Sequence, residues 1–312
     1  MGRHGFGSFF APFLHQNEPR PLPGPTARPP APWSFPRPAR GSAPGPHAAP
    51  RTEAQGRQAP DREDIQSMND TSSPFSLAGQ TILITGAAGG IGAATARLCA
   101  AQGATLILAD LLEPGEIAAR IGPAADGAVC HRLDISQRAA VEALAAGAGP
   151  VDALIDMAAI CPFDDWMAEG WDESLERVLA VNIRGPINLT RAFLPGMAAR
   201  RRGRIVLCGS VAGWMGGVAS GPHYAFSKGG LHAFTRWLAR RGAPDGVLVN
   251  AIAPGPVETP MTAGQGYRPG QFPLGRLAAP EEIAAAAAFL VSPGAGYVSG
   301  AVLDVNGAVH YR

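Results

Sequence analysis

The sequence predicts an α/β fold, a doubly wound parallel sheet in a single domain over residues 77–312, and two observations support this prediction. Short apolar runs without alternating polar residues recur along this region, as expected of strands that are buried on both faces. Each run is followed by a longer helical pattern. Strands that alternate with helices in this way build a parallel sheet with helices on both of its faces.

The elements follow one another at regular intervals. The first strand, 81–85, is an apolar run rich in β-branched residues; glycines follow it, and then a helix over 91–101 that Gly103 closes. The second strand, 104–109, ends at Asp110. Further strands are predicted at 128–131, 151–156, 204–208, 247–252 and 301–305. Further helices are predicted at 137–146, 172–199, 224–240 and 281–290.

Residues 1–76 have a different composition, with half of the chain's 30 prolines, eight arginines and almost no periodic apolar pattern. Such a segment buries too little apolar surface to fold, so we expect a disordered Pro/Arg-rich extension. Two alternatives stay open. Translation could start at Met68, or the extension could be a functional tail that binds SH3-like modules or acts as a transit peptide.

The composition argues against several classes of function. A net charge of +1 does not favour nucleic acid as the main partner. No apolar stretch approaches the roughly 18 residues that a membrane span needs. The four cysteines are scattered without a CxxC pair, which predicts a reducing compartment, the cytoplasm, and no metal site.

A glycine-rich turn joins the first strand to the first helix and contains Gly86, Gly90, Ile91 and Gly92. Glycines there let the main chain approach a pyrophosphate, and the helix N-terminus offers unpaired N–H groups. The spacing alone is a weak signal, because 40 of the 312 residues are glycine. Its position between strand and helix favours a dinucleotide site over a turn without a ligand.

Asp110 closes the second strand about 20 residues after the glycines, where an acid can bind both ribose hydroxyls of NAD and repel a 2′-phosphate. No Arg or Lys flanks it in the sequence, so the pattern predicts NAD rather than NADP. The alternative is an Asp that caps the next helix.

Tyr224 precedes Lys228, the only lysine of the chain, by four residues, which places both side chains on one face of a helix. A free phenol titrates near ~10, and a nearby cation lowers that pKa, so the pair suits proton transfer. The alternative is a surface lysine that packs its stem on a tyrosine ring.

Together these motifs resemble the short-chain dehydrogenase/reductase family, and the match in order and spacing covers residues 77–312. The matching residues are the glycine turn, Asp110, Leu133-Asp134, Asn182, Ser210, Tyr224-x-x-x-Lys228 and Pro254-Gly255. The resemblance implies a Rossmann-type fold and the hydride chemistry of a nicotinamide cofactor.

The resemblance also implies the catalytic roles. Tyr224 would be the general acid/base, and Lys228 would lower its pKa and bind the nicotinamide ribose. Ser210 would orient the substrate oxygen and stabilise developing charge. Asn182 would hold a water that links Lys228 to solvent.

For the cofactor, the resemblance implies that Asp134 contacts the adenine ring. It also implies a segment that cradles the nicotinamide carboxamide, with Pro254, Gly255, Val257 and Thr259. One departure stands out: Asp156-Met157-Ala158-Ala159 replaces the family's usual Asn-Asn-Ala-Gly. Both side-chain amides are lost there, although a main-chain contact of Ala158 with the adenosine ribose could remain.

A few other residues near these motifs are interpreted individually. His223 is expected to point away from the site along its helix. Asp164 and Asp165 are expected on a solvated loop. Trp214 and Met215 either line the substrate pocket or pack under loops.

The predicted function is that of an NAD-dependent oxidoreductase that interconverts a secondary alcohol and a ketone. A lid predicted at 256–277 carries few charges, which favours a small neutral substrate. A 3-oxoacyl-type reductase and a catalytically silent dinucleotide-binding regulator are the alternatives. The resemblance also implies a homodimer or homotetramer, through the helices 172–199 and 224–240.

Overall fold

The structure is a computed structural model that describes residues 73–217 and 219–311. In this part of the chain seven parallel strands form one sheet in the order β3-β2-β1-β4-β5-β6-β7. The strands are β1 Thr81–Thr85, β2 Thr105–Asp110, β3 Val129–Arg132, β4 Ala153–Asp156, β5 Gly203–Cys208, β6 Val247–Pro254 and β7 Val302–Val305.

Helices connect these strands and cover both faces of the sheet. They are α1 Gly90–Ala101, α2 Pro114–Ile121, α3 Arg138–Gly147, α4 Trp171–Leu179, α5 Gly185–Ala199, α6 Ala212–Met215, α7 Pro222–Gly242 and α8 Pro280–Val291. Single 3-10 turns occur at Gly122–Ala125, Ala243–Asp245, Pro269–Gln271 and Pro293–Ala295. The predicted alternation of strands and helices, and the doubly wound sheet, are confirmed.

The sheet separates two apolar cores because successive strand residues face opposite sides. In β1, Ile82 and Ile84 point to a core shared with α1, α2 and α8, and Leu83 points to a core shared with α3, α5 and α7. All three side chains are fully buried. This two-sided burial explains why the strands read as continuous apolar runs rather than alternating ones.

The helix predicted at 172–199 is two α-helices joined by a π-helical segment, Ala180–Arg184. Pro186 stands at the start of the second helix and has no N–H, so it cannot bond the carbonyl of Asn182 as an α-helical residue would. This interruption was not predicted, and neither were α2 and α6, which are only eight and four residues long.

The predicted extension, residues 1–76, falls almost wholly outside the described residues, as does the alternative start at Met68. Its last four residues are described and belong to the packed domain. Pro74 accepts a hydrogen bond of 2.7 Å from the N–H of Gly294, and the ring of Phe75 lies 6.2 Å from that of Phe289 in α8. The packed chain therefore includes residues that the sequence placed before its boundary.

Neither a membrane-spanning helix nor a metal-binding cluster occurs among the described residues. None of their helices is long and apolar enough to cross a lipid bilayer. No group of three or more His, Cys, Asp or Glu side chains among them could hold a metal ion.

Candidate active site

A cavity opens at the carboxyl ends of the central strands, where the chain reverses its winding direction at β1 and β4. Crevices at this point are the usual ligand sites of doubly wound sheets. Most of the lining side chains are apolar. They include Ile91, Met157, Cys161, Phe163, Cys208, Ser210, Met215, Tyr224, Lys228, Pro254, Val257, Thr259, Met261, Tyr267 and Phe272.

Three of the four predicted catalytic residues, Ser210, Tyr224 and Lys228, line this cavity together. Ser210 follows β5, and Tyr224 and Lys228 lie one turn apart in α7. Lys228 is 2% exposed and its Nζ donates a 2.6 Å hydrogen bond to the carbonyl of Cys208. The same Nζ lies 5.6 Å from the centroid of the Tyr224 ring. The predicted pairing of phenol and ammonium is therefore present in the fold.

The acidity of Tyr224 differs from the sequence expectation. Burial raises the pKa of its phenol, the nearby thiols of Cys161 and Cys208 raise it further, and hydrogen bonding with Ser210 lowers it. The net direction in the protein alone is upward, so the prediction that Lys228 brings this pKa below ~10 is wrong for the protein alone. The cause is desolvation, which a sequence pattern does not reveal.

Asn182, the fourth predicted catalytic residue, lies in the π-helical segment beside the cavity and is 1% exposed. Its Oδ1 accepts the N–H of Ile160 at 2.9 Å, and its Nδ2 donates to the Ile160 carbonyl, also at 2.9 Å. A third bond of 3.1 Å runs from Nδ2 to Ser227 Oγ in α7. The side chain thus ties the chain after β4 to the helix that carries Tyr224.

Three glycines of the turn, Gly86, Gly90 and Gly92, leave no space for a side chain. Gly86 has φ of +64°, and a Cβ there would lie 2.6 Å from the nitrogen of Ala158. A Cβ on Gly92 would overlap the Gly86 carbonyl, and one on Gly90 would lie 2.7 Å from Thr259 Cγ2.

Helix α1 follows this turn and has no side-chain cap. Its first N–H groups can therefore bind phosphate, and the cradle fits the pyrophosphate of a nicotinamide dinucleotide.

Asp110 ends β2 next to this turn. Its two carboxylate oxygens accept the N–H groups of Ala88, at 3.0 Å, and Leu111, at 2.8 Å. The β2–β3 register places Arg132 beside Asp110, although no cation is near it in the sequence. Arg132 is paired with Glu113 at 2.6 Å. The guanidinium of Arg132 is thus near the place where the 2′-phosphate of NADP would lie, but Glu113 already pairs with it.

Asp134 follows β3 at the same edge of the site. Its Oδ1 accepts the N–H of Ser136 at 2.9 Å, and the preceding Leu133 N–H donates to the Asp110 carbonyl at 2.7 Å. Asp110 and Asp134 therefore lie on adjacent strand ends, where the resemblance places the adenosine half of the cofactor.

Asp156, the departure from the family pattern, is 2% exposed at the end of β4. Its Oδ1 accepts the hydroxyl of Thr85 at 2.6 Å and the N–H of Ala158 at 3.2 Å. Burial raises the pKa of this carboxyl, while the Thr85 hydroxyl, Lys228 and the Ala158 N–H oppose that change. The carboxylate takes over the acceptor role of an amide, and it brings a titratable group into the interior.

The predicted nicotinamide segment forms one wall of the cavity. Gly255 donates to the Val305 carbonyl at 3.0 Å and has no room for a Cβ, which would lie 2.9 Å from Asn306 Cα. Val257 pairs with Ala278 in an isolated bridge, and the Thr259 N–H donates to Thr262 Oγ1 at 3.2 Å. Pro254 accepts the N–H of Val211 at 2.9 Å, which connects this wall to the loop that carries Ser210.

The remaining apolar candidates fall into two groups, those that line the cavity and one that does not. Met215 lines the cavity, as do Met261, Tyr267 and Phe272 of the predicted lid. Trp214 does not: its ring packs 4.2 Å from His232, and its Nε1 donates to Asp304 at 3.2 Å.

As predicted, His223 does not line the cavity, but it makes contacts that the sequence did not indicate. Its side chain is fully buried, and its Nε2 lies 3.3 Å from Asp164 on the loop after β4. Asp164 lies on an exposed loop, as predicted, but its contact with His223 was not predicted, and neither was the place of Cys161 and Phe163 in the cavity wall. No local pattern could have revealed these contacts, because 59 residues separate Asp164 from His223.

This chain resembles a known protein family and several known proteins. Residues 86–310 match the family model described as enoyl-(acyl carrier protein) reductase. Galactitol 2-dehydrogenase (L-tagatose-forming) of Cereibacter sphaeroides is 41% identical over 251 residues, which cover 75% of this chain and 96% of that protein. A 3-oxoacyl-[acyl-carrier-protein] reductase of Vibrio harveyi is 36% identical over 76% of this chain and 99% of that protein.

Several solved structures are also similar to this chain. The 3-oxoacyl-[acyl-carrier protein] reductase of Brucella melitensis with bound NAD is 33% identical, has a TM-score of 0.70, and covers 76% of this chain and 94% of that chain. Two other similar structures, from Beutenbergia cavernae and Agrobacterium tumefaciens, contain bound NADP. They are 34% and 33% identical to this chain and have TM-scores of 0.69 and 0.68. On the fold, the site geometry and these matches, the chain belongs to the short-chain dehydrogenase/reductase family of oxidoreductases.

Proposed function

We propose that this protein is an NAD-preferring dehydrogenase that interconverts a small, neutral secondary alcohol and the corresponding ketone. The observation that carries the proposal is the meeting of Ser210, Tyr224 and Lys228 in one mainly apolar cavity beside the glycine turn. The cofactor, when bound, supplies the hydride chemistry and, in its oxidised form, a further positive charge.

Tyr224 moves the proton. Its hydroxyl gives a proton to the substrate oxygen in ketone reduction and takes one from it in alcohol oxidation. Because burial raises the pKa of this phenol, the oxidation direction needs cations beside it, and Lys228 is the protein's own. The hydrogen bond from Lys228 to the Cys208 carbonyl holds that charge at the cavity.

Ser210 positions the substrate oxygen. Its Oγ accepts the N–H of Ala212 at 3.1 Å, and its own O–H, which hydrogen-bonds Tyr224 in the free protein, can turn to donate to the substrate oxygen. Asn182 connects the chain after β4 to α7 and so keeps the two sides of the cavity in register.

The preference for NAD rests on Asp110, at the position where an acid binds the ribose hydroxyls and repels a 2′-phosphate. The pairing of Arg132 with Glu113 supports it, because the only cation that the register places beside Asp110 already has an acidic partner. Similar structures hold either cofactor, so the preference depends on this chain's own residues.

The decisive experiment is a panel of secondary alcohols and ketones, galactitol among them, assayed with NAD and NADP by the absorbance of the reduced cofactor. Tyr224→Phe should lower turnover by about 10² to 10⁴, the usual contribution of a general acid/base, with NADH affinity close to wild type. Turnover that survives this substitution would overturn the proposal.

A 3-oxoacyl thioester reductase is the second candidate, favoured by the relatives from Vibrio harveyi and Brucella melitensis. Acetoacetyl-coenzyme A belongs in the panel for this reason. A kcat/KM for the thioester well above that for every free alcohol or ketone would select this alternative. A silent dinucleotide-binding regulator would bind NADH and turn over nothing, although the complete set of Ser210, Tyr224 and Lys228 argues against it.

We also propose a homodimer or homotetramer that associates through the helices of residues 172–199 and 224–240, and residence in the cytoplasm. All four cysteines are free thiols, which fits a reducing compartment. Sedimentation at micromolar concentration should show a dimer or tetramer, and a monomer alone would contradict the assembly.

A further inference from the structure

His223 stands directly before Tyr224 at the start of α7, and its buried ring bridges two parts of the site. On one side, Nδ1 accepts the main-chain N–H of Tyr224 at 2.9 Å. On the other side, Nε2 lies 3.3 Å from Asp164 Oδ1 and 3.4 Å from Ser174 Oγ.

Only one protonation state of the ring satisfies both sides. An imidazole nitrogen that accepts a main-chain N–H carries no proton, so Nδ1 is unprotonated and Nε2 carries the hydrogen. The Nε2–H can then donate to the carboxylate of Asp164. The neutral Nε2–H tautomer therefore connects the first turn of α7 to the loop after β4.

The surroundings hold the ring in this orientation. The ring of Trp171 packs 5.1 Å from it, and a Cβ on Gly221 would lie 2.7 Å from its Cε1. Hydrogen bonding with Ser174 lowers the pKa of the Asp164 carboxyl. Asp164 thus stays ionised and remains a good acceptor.

The loop that Asp164 belongs to forms a wall of the substrate cavity. Cys161 and Phe163, the latter adjacent to Asp164, line the cavity together with Tyr224. Asp164 itself is partly exposed, so its position depends on the few contacts it makes.

We propose that His223 is a positioning residue of this enzyme. Its Nε2–H fixes Asp164 and with it the Phe163 wall of the substrate cavity, while its Nδ1 fixes the main chain at Tyr224. The statement about substrate binding rests on the proposed dehydrogenase function, whereas the statement about the loop does not.

Two substitutions separate the two sides of the ring. His223→Asn keeps an acceptor near the position of Nδ1 but is too short to reach Asp164. His223→Gln keeps a donor near the position of Nε2 but loses the acceptor for the Tyr224 N–H.

Asp164→Ala removes the loop partner at a partly exposed position and leaves His223 intact. Asp245→Asn, in the 3-10 turn at the far end of α7, is the matched control.

The first readout is hydrogen–deuterium exchange of the amides of residues 160–170 in the protein without substrate. We expect His223→Asn and Asp164→Ala to speed this exchange by about tenfold or more, since a hydrogen bond to a charged group has that strength. His223→Gln and the Asp245→Asn control should stay near wild type. Because no turnover is involved, this result does not depend on the substrate.

The second readout is steady-state kinetics with the best substrate of the panel. His223→Asn should raise KM with kcat nearly unchanged, and His223→Gln should lower kcat with KM nearly unchanged. Unchanged loop exchange in Asp164→Ala would overturn the proposal even if both His223 variants failed to fold. Equal effects of the two His223 variants on KM and kcat would also overturn it.

Discussion

The two sides of the active site are built by different means. On the cofactor side, main chain packs against main chain: a Cβ at Gly86 would lie 2.6 Å from the nitrogen of Ala158, and Gly92 has no space beside the Gly86 carbonyl. On the substrate side, side-chain contacts hold the loops, some between distant parts of the sequence, as between His223 and Asp164, and some local, as between Arg276 and Glu282. The cofactor side should therefore tolerate almost no change, and the substrate side should respond to substitution gradually.

Of the substitutions considered on the cofactor side, Gly92→Ala should disrupt the structure most severely. The added Cβ meets a carbonyl that cannot move without displacing the turn, so we expect loss of NADH binding and a destabilisation of several kcal/mol, as for other backbone clashes. Fluorescence titration with NADH and thermal unfolding would measure both. Gly115→Ala in α2 is the control, because a Cβ there meets nothing within 4 Å. Near-normal NADH binding by Gly92→Ala would contradict the contrast between the two sides.

A milder test on the cofactor side is Asp110→Ala. The substitution removes the acceptors for the ribose hydroxyls and the repulsion of a 2′-phosphate, and it also frees the N–H of Ala88. The ratio of kcat/KM for NAD to that for NADP should fall by about tenfold or more, since one charge-assisted hydrogen bond has that value. Asp110→Ala together with Glu113→Ala, which releases Arg132, should lower the ratio further. A wild-type enzyme that turned over faster with NADP would refute the proposed preference.

Between the two sides lies Asp156, whose carboxyl pKa is raised by burial above its ordinary value of 3.8. A raised pKa means that the folded state favours the protonated form. The contribution of this group to stability is fully present below pH 3.8 and is lost as the pH rises through the folded-state pKa.

Asp156→Asn keeps an acceptor for Thr85 and removes the titration, so we expect it to gain stability over wild type as the pH rises. The gain should be larger at pH 7 than at pH 5, and it should shrink toward pH 4. Urea unfolding at a series of pH values would measure it. A difference between the two proteins that is constant with pH would show that Asp156 does not titrate in this range.

The smallest effect should come from Glu282→Gln on the substrate side. Hydrogen bonds from Arg276 and then from the Ala279 N–H lower the pKa of Glu282 to about 2, and its side chain is exposed. A lowered pKa stabilises the fold above pH 4.5, the ordinary value, and this contribution disappears as the pH falls toward 2.

Glu282→Gln should therefore lower the melting temperature slightly at pH 7, because exposed ion pairs contribute little, and by less at pH 2. Differential scanning calorimetry at both pH values would check this. A loss at pH 7 as large as that of Gly92→Ala would remove the distinction between the two sides.

The same contrast explains how far the sequence could predict the molecule. The strands, the glycine turn and the helix spacing of Tyr224 and Lys228 depend on local patterns, and the structure contains all of them. The π-helical segment was not predicted from the sequence. The helical spacing of apolar residues does not show that Pro186, which has no N–H, leaves the carbonyl of Asn182 without its α-helical partner. The interaction of His223 with Asp164 and the raised pKa of Tyr224 depend on long-range packing, which no local pattern describes.

Lys228 also determines how this chain reacts with reagents that modify primary amines. It is the only lysine of the 312 residues, and its ammonium group is buried at the cavity. Reagents that acylate amines therefore find no lysine on the surface of this chain. Any acylation at a lysine would occur in the active site, where bound cofactor should protect it, so the extent of lysine labelling would directly report how much of the site is occupied.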